Sequence, residues 1–279
     1  MSDAAATRSA TAFRACAVVP VYDHEHAIGA VVEGLRAAGL HCILVDDGSG
    51  EPCARELERI AAGARATPPG STPGAAPGVT PGVTLIRRTL NGGKGAAVSD
   101  GLRAALAAGY THALQVDADG QHALVDVPRF LAAGAAHPGA MVCGQPAFDA
   151  SMPRTRFYFR YLTHVLVWIN TLSLAVRDSM CGFRLYPLAP VVAMLDAEHP
   201  GSRMDFDIEV LVRLHWRGLP MHWLATRVTY PSDGVSHFRL LRDNARISQL
   251  HARMFLGMLW RSPRLLARRF RQRPGAAHA

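Results

Sequence analysis

The chain has 279 residues, of which 49% are hydrophobic and 19% charged, and a net charge of +8. This length supports a sizeable buried core, and the balance is that of a globular protein, which excludes a disordered or fibrous chain. The charge is local: residues 239–273 hold ten arginines and one acid, so the rest is close to neutral and a uniformly basic nucleic-acid-binding domain is excluded.

Residues 1–14 lack an apolar core of signal-peptide length and read as a disordered lead-in. "ACAVVPV" (15–21), "CILVDD" (42–47), "VTLIRR" (83–88) and "HALQVD" (112–117) are short, apolar and rich in β-branched residues, which predicts buried strands. Between them "HEHAIGAVVEGLRAAG", "EPCARELERIAAG" and "GKGAAVSDGLRAALAAG" have helical spacing and end in glycine. Alternating strand and helix predicts an α/β fold with an open, mostly parallel sheet, helices on both faces, and a ligand beyond the carboxyl ends of the strands. Residues 67–82, nearly all Pro, Gly, Ala, Thr and Ser, read as a flexible surface insertion. The five cysteines (Cys16, Cys42, Cys53, Cys143, Cys181) form no C-x-x-C pair, which argues against a disulfide framework or zinc site and for a reduced, cytoplasmic compartment.

Parallel strands point one way, so the clusters that follow them, "PVYDHE", "VDDGSG", "NGGKG" and "VDADGQH", converge on one edge of the sheet. In the last, Asp117 and Asp119 are two residues apart and aim two carboxylates at one point, where they repel unless a cation lies between. Asp117, Asp119 and Gln121 offer only oxygen, which suits Mg²⁺ or Mn²⁺. The competing reading is a plain Asp-Gly turn. "NGGKG" lacks P-loop spacing, yet Lys94 and Gly95 at a helix start suit a phosphate-bearing ligand; a solvated lysine in a glycine turn is the alternative. Asp-Gly-Ser in "VDDGSG" is also good turn and helix-cap chemistry.

Together with "DSMCGFRLY" and "FDIEVLVRLHWRGL", these motifs resemble the family 2 glycosyltransferases, in particular their dolichyl-phosphate mannosyltransferase-like branch, over about residues 15–237. The resemblance implies an A-type glycosyltransferase fold that binds a nucleotide-diphosphate sugar, with Asp117 and Asp119 on a metal bridging the donor diphosphate. It implies donor contacts from Pro20, Tyr22 and Glu25, a base or ribose contact from Asp47 with Asp46 beside it, and transfer with inversion. It also puts Arg184 at an acceptor phosphate; a buried Asp178–Arg184 ion pair is the alternative.

The chain departs from the family pattern in two places. Asp23 and His24 stand where an asparagine precedes the glutamate, and Pro231 and His237 replace the arginine and lysine of the acceptor motif Arg-x-x-Gly-x-Ser-Lys. His237 or Asp233 then becomes the candidate general base for a hydroxyl acceptor, with Asp207 and Glu209 in reserve. These departures leave open a non-catalytic nucleotide-sugar-binding module and, more remotely, a nucleotidyltransferase.

"YLTHVLVWINTLSLAV" (161–176) is too short and polar for a membrane span and reads as a core or interface helix. Residues 238–260 place Arg239, Arg242, Arg246 and Arg253 on one helical face and Leu240, Ile247, Met254 and Met258 on another. This predicts a peripheral helix on an anionic membrane surface on the cytoplasmic side, with a lipid-like or membrane-held acceptor; docking on the chain's own domain is the alternative.

Overall fold

The computed structural model describes residues 12–65, 81–147, 154–228 and 240–271. The four expected strands form as β1 (Ala15–Val21), β2 (Cys42–Asp46), β3 (Val83–Arg87) and β4 (His112–Gln115), with helices α1 (Glu25–Ala37), α2 (Glu51–Arg65) and α3 (Lys94–Ala107) between them. Three more strands follow: β5 (Met141–Ala147), β6 (Arg184–Pro187) and β7 (Met221–Arg227). Helices α4 (Val127–Ala136), α5 (Arg154–Thr171), α6 (Leu188–Glu198), α7 (Phe206–Arg217) and α8 (Leu240–Arg271) complete the order. The seven strands form one sheet in the order β3-β2-β1-β4-β6-β5-β7, in which β6 alone runs antiparallel to its neighbours.

Alternation along β1 builds two cores. Cys16 and Val18 face one side with the apolar residues of α3, α6 and α7, while Ala17, Val19 and Val21 face the other with those of α1 and α2. Burial on both faces is why these strands read as unbroken apolar runs. Pro20 is tolerated in a central strand because β4 pairs β1 only as far as Val18–Gln115, so its missing N–H breaks no ladder bond. There the sheet opens between β1 and β4.

The C-terminal helix α8 continues past Trp260 to Arg271, through Pro263. Leu250, His251, Met254, Met258 and Leu265 are buried. Met254, named above as part of a membrane-facing side, instead joins the core of α5 and α7 residues, as Leu250 does; the apolar face docks on the chain's own domain. Arg261 stacks over the Trp216 ring at 4.6 Å, and Arg268 donates to the carbonyls of His215 and Trp216 at the end of α7. Outside the docked face, Phe255, Leu256, Leu259 and Trp260 are exposed, Trp260 by 86%.

This docking makes stability depend on pH. Burial pulls His251 down to about 4, where its Nδ1 lies 3.0 Å from Asn170 Nδ2. Burial and then the charge of Arg268 pull His215 down to about 4. Both imidazoles are neutral in the fold, while the unfolded chain takes up protons near 6.5. Stability is therefore full above 6.5 and lost as pH falls toward 4, by up to about 1.4 kcal/mol per pH unit for each imidazole. Urea unfolding at pH 7 and pH 5 should show this loss, and His251→Gln should flatten it by about half.

Candidate functional site

The strand-end loops are tied to one another in sequence order. In the turn after β1, Asp23 takes a positive φ of 51°. Its Oδ1 accepts from Gly50 N at 2.8 Å, and its N–H donates to Ser49 Oγ at 3.1 Å, joining the first loop to the second. Asp47 joins the second loop to the third: its two carboxylate oxygens accept from Gly92 N (2.9 Å) and Gly93 N (2.7 Å), with Arg88 Nε 2.9 Å away. Asp46 accepts from Ser49 N and from Arg87 Nε. Both aspartates are almost fully buried, at 1% and 2% exposure. They hold the loops, as turn and cap chemistry predicts. The nucleotide contact expected of them would require Arg87 or Arg88 to swing aside.

Lys94, at the start of α3, joins the third loop to the fourth. Its Nζ lies 2.7 Å from Asp117 Oδ1 and 2.8 Å from Asp207 Oδ2 on α7. Burial opposes its charge, but the two carboxylates more than offset that and raise its pKa above the usual lysine range. Burial likewise opposes ionisation of Asp117, yet the Lys94 ammonium and the nearby His122 ring hold it well below the usual carboxylate range. The cation beside Asp117 is thus the protein's own. Gly182 approaches so closely that a Cβ there would lie 2.8 Å from both Asp117 Oδ2 and Lys94 Nζ, so a side chain at this position would displace the pair.

Asp119 is different. It is half-buried, its Oδ1 accepts from Gln121 N at 3.0 Å, and among the described residues its second oxygen has no hydrogen-bond partner. The turn and an open carboxylate therefore coexist. Asp117 and Asp207 share the Lys94 ammonium, and the buried Arg184 guanidinium also acts on Asp207, so these two carboxylates are met by the protein's own cations. The free oxygen of Asp119 and the half-buried Gln121 beside it are oxygen donors that would suit a hard divalent ion. Among the described residues no three His, Cys, Asp or Glu side chains cluster as a complete cage for a metal.

The remaining expected residues are placed as follows. Tyr22 and Glu25 are half-buried around the turn after β1, with Glu25 opening α1 and Pro20 buried in the strand before it. Gly95 is buried, and a Cβ there would collide with Phe206, so it serves the packing of α3 on α7. Asp233 and His237 lie outside the described residues, as do residues 67–80 of the insertion and Arg239. Arg184 does not face an acceptor phosphate: it is 1% exposed and donates to the carbonyls of Asp207 (2.6 Å) and Ser179 (2.8 Å). Nor does it pair with Asp178, which binds Arg160.

Asp207, named above only as a reserve base, is tied into this network instead. It is buried, pairs with Lys94 and accepts from Gln115 Nε2, which commits it to the network. Glu209, the other spare base, is 0% exposed and accepts from Arg213, Arg253 and Gly201 N. The signal was two acids inside the apolar run "FDIEVLV", which must meet buried cations. His122 stacks on Phe183 with its Nε2 3.5 Å from Asp117 Oδ2.

This architecture is similar to solved glycosyltransferase structures. Glucosyl-3-phosphoglycerate synthase from Mycobacterium tuberculosis, solved with Mn²⁺, uridine diphosphate and glucosyl-3-phosphoglycerate, superposes with a TM-score of 0.59 at 17% identity, over 88% of this chain and 80% of that one. S. aureus TarS 1-349 in complex with UDP-GlcNAc gives 0.54 at 13% identity, over 87% of this chain and 66% of that one. These likenesses show the A-type glycosyltransferase fold. An uncharacterised protein of Methanocaldococcus jannaschii, MJ0544, is 27% identical over 175 residues, 61% of this chain and 69% of that protein. The family model of glycosyl transferase family 2 matches residues 16–172, from β1 through α5 and more than half of the chain, and the chain belongs to that family.

Proposed function

We propose that the chain transfers a sugar, with inversion, from a nucleotide-diphosphate sugar to a lipid-like or membrane-held acceptor, as in the dolichyl-phosphate mannosyltransferase-like branch its motifs resemble. The observation that carries this reading is Asp119: a half-buried carboxylate at the carboxyl edge of the sheet, with one oxygen that has no hydrogen-bond partner among the described residues, two positions from the Asp117 that Lys94 holds. Asp119, with Gln121, would hold Mg²⁺ or Mn²⁺. When bound, such an ion neutralises the diphosphate that leaves as the glycosidic bond breaks. Asp117 acts one step back, fixed by Lys94 so that the turn carrying Asp119 is held at the strand end. The acceptor oxygen attacks the anomeric carbon opposite the leaving diphosphate, and Asp233 or His237 is the base proposed for a hydroxyl acceptor.

Membrane presentation is supported by the outer strip of α8. Among the described residues no helix is long and apolar enough to cross a membrane. Phe255, Leu256, Leu259 and Trp260 recur at helical spacing and are exposed, with Arg253 and Arg264 nearby in sequence, which suits a helix lying at an interface. In flotation the chain should bind anionic vesicles better than neutral ones and lose binding with salt. Leu256→Ser/Trp260→Ser should abolish it, and equal binding to neutral vesicles would contradict the reading. Transfer itself is tested with a panel of UDP- and GDP-sugars and Mn²⁺: release of the nucleoside diphosphate from at least one donor is expected, and binding without release from any donor would favour a non-catalytic module.

A further inference from the structure

A second charged feature lies beyond the strand-end cluster, where the turn before α7 meets α8. A cavity of about 280 Å³ is lined there by Gly201, Ser202, Arg203 and Asp205 on one side and by Arg246, Gln249, Leu250 and Arg253 on the other. The four α8 positions recur at i, i+3, i+4 and i+7, so one flank of the helix forms that wall. The volume is roughly that of nine waters, ample for a phosphate ester.

The cavity is built from its charges. Arg203 donates through Nη1 to Asn91 Oδ1 at 3.2 Å, and its backbone N–H donates to Asp205 Oδ1 at 3.2 Å. Arg253 is steered by the fully buried Glu209, whose Oε2 accepts from its Nη2 at 3.1 Å, while 60% of the arginine side chain stays exposed. Glu209 is shared with Arg213. The lining holds three arginines, Arg203, Arg246 and Arg253, and one acid, Asp205, with the buried Glu209 behind Arg253 also taking Arg213, which pairs with Glu198 as well. Planar guanidiniums from two separate elements suit the oxygens of a phosphate group.

Its position ties it to the site above. Ser202 O accepts from Ala96 N at 3.0 Å, and a Cβ on Gly93, whose φ is +100°, would lie 2.5 Å from Arg203 Cγ. The segment that walls the cavity thus rests on the loop that carries Lys94, and α7 leads from Asp205 to Asp207, the other partner of Lys94.

We propose that this cavity binds the phosphate ester of the acceptor, holding it beside the strand-end cluster where the donor sugar would be attacked. The acceptor role rests on the glycosyltransfer reading; anion binding by the cavity does not. The ester can come from a soluble phosphorylated acceptor or from a lipid headgroup, and the two sources share the chemistry.

The test titrates the full chain, without nucleotide, with glycerol 3-phosphate in one arm and with phosphatidylglycerol vesicles against phosphatidylcholine vesicles in the other. The wild type should bind at least one phosphate ester saturably, and Arg246→Gln/Arg253→Gln should weaken that binding by roughly 10- to 100-fold, as loss of charge-assisted hydrogen bonds implies. Gln249→Glu, at an exposed position, puts a negative charge into the wall while leaving every arginine in place, and should weaken the same binding several-fold. Loss in the soluble arm identifies a soluble ester, and loss confined to the vesicle arm identifies a headgroup. No saturable binding in either arm, or variants that bind as the wild type does, overturns the proposal. UDP-sugar binding measured separately on the wild type distinguishes the failures. Donor binding without phosphate binding removes the cavity's role alone, whereas phosphate binding without any donor binding overturns the acceptor assignment together with the glycosyltransfer reading.

Discussion

Replacing Lys94 with methionine should destabilise the fold by about 3–5 kcal/mol at pH 7.5, the range for removing one partner of a buried ion pair. The substitution leaves Asp117 and Asp207 facing each other without the ammonium that lies 2.7 and 2.8 Å from them. In the wild type Asp117 is held below the usual carboxylate range, so its contribution is present above 3.8 and lost only as pH falls through its lower folded value. In the variant the repulsion raises one carboxylate instead, so that group destabilises the fold above its unfolded value and recovers as pH falls and it takes up a proton. The gap between the two proteins should therefore narrow from pH 7.5 to pH 4.5 in urea unfolding. Lys94→Met/Asp207→Asn should regain part of the loss, because it removes one of the two opposed charges. A gap below about 1 kcal/mol at pH 7.5 would mean that the triad is not structural.

Asp119→Ala should do the reverse. Among the described residues its one hydrogen bond is to the backbone of Gln121, so stability should change by about 1 kcal/mol or less. Release of nucleoside diphosphate should fall by roughly 100-fold or more, since even indirect changes around a metal ligand cost 10- to 100-fold. Asp117→Asn should lower both quantities, because that carboxylate holds Lys94 as well as the turn. Parallel melting curves and turnover assays on the two variants separate the roles. Equal loss of turnover without loss of stability in both would place Asp117 and Asp119 in the same role.

The contrast between these neighbours was only half legible in the sequence. Spacing and a strand end bring Asp117 and Asp119 to one place, but nothing local says that a lysine 23 positions earlier neutralises the first. That pairing depends on α3 starting against β4 and on α7 bringing Asp207, which are matters of sheet order. The first four strands were readable because burial on both faces leaves unbroken apolar runs. Strands β5 and β7 carry Gly, Pro, His and Thr, and β6 is four residues inserted antiparallel between β4 and β5, so no local pattern announces them. Asp46 and Asp47 were readable as polar strand-end residues; their partners Arg87 and Arg88 belong to the end of the neighbouring strand, a register that only the folded sheet defines. For α8 the amphipathic period was plain, yet a helix docked on its own domain and one lying on a membrane have the same period. The structure answers with two apolar surfaces on one helix: Leu250, Met254 and Met258 buried, Leu256 and Trp260 exposed.

The central claim, that Asp119 and not Asp117 supplies the carboxylate for a divalent ion shared with a nucleoside diphosphate, is tested most directly by titrating free Mn²⁺ by its paramagnetic resonance signal. With UDP or GDP present, the wild type should remove Mn²⁺ from solution beyond what the nucleotide alone removes, and folded Asp119→Ala should not, while folded Asp117→Asn should retain part of the effect. Nucleotide-dependent Mn²⁺ binding that persists in Asp119→Ala and vanishes in Asp117→Asn would contradict the account.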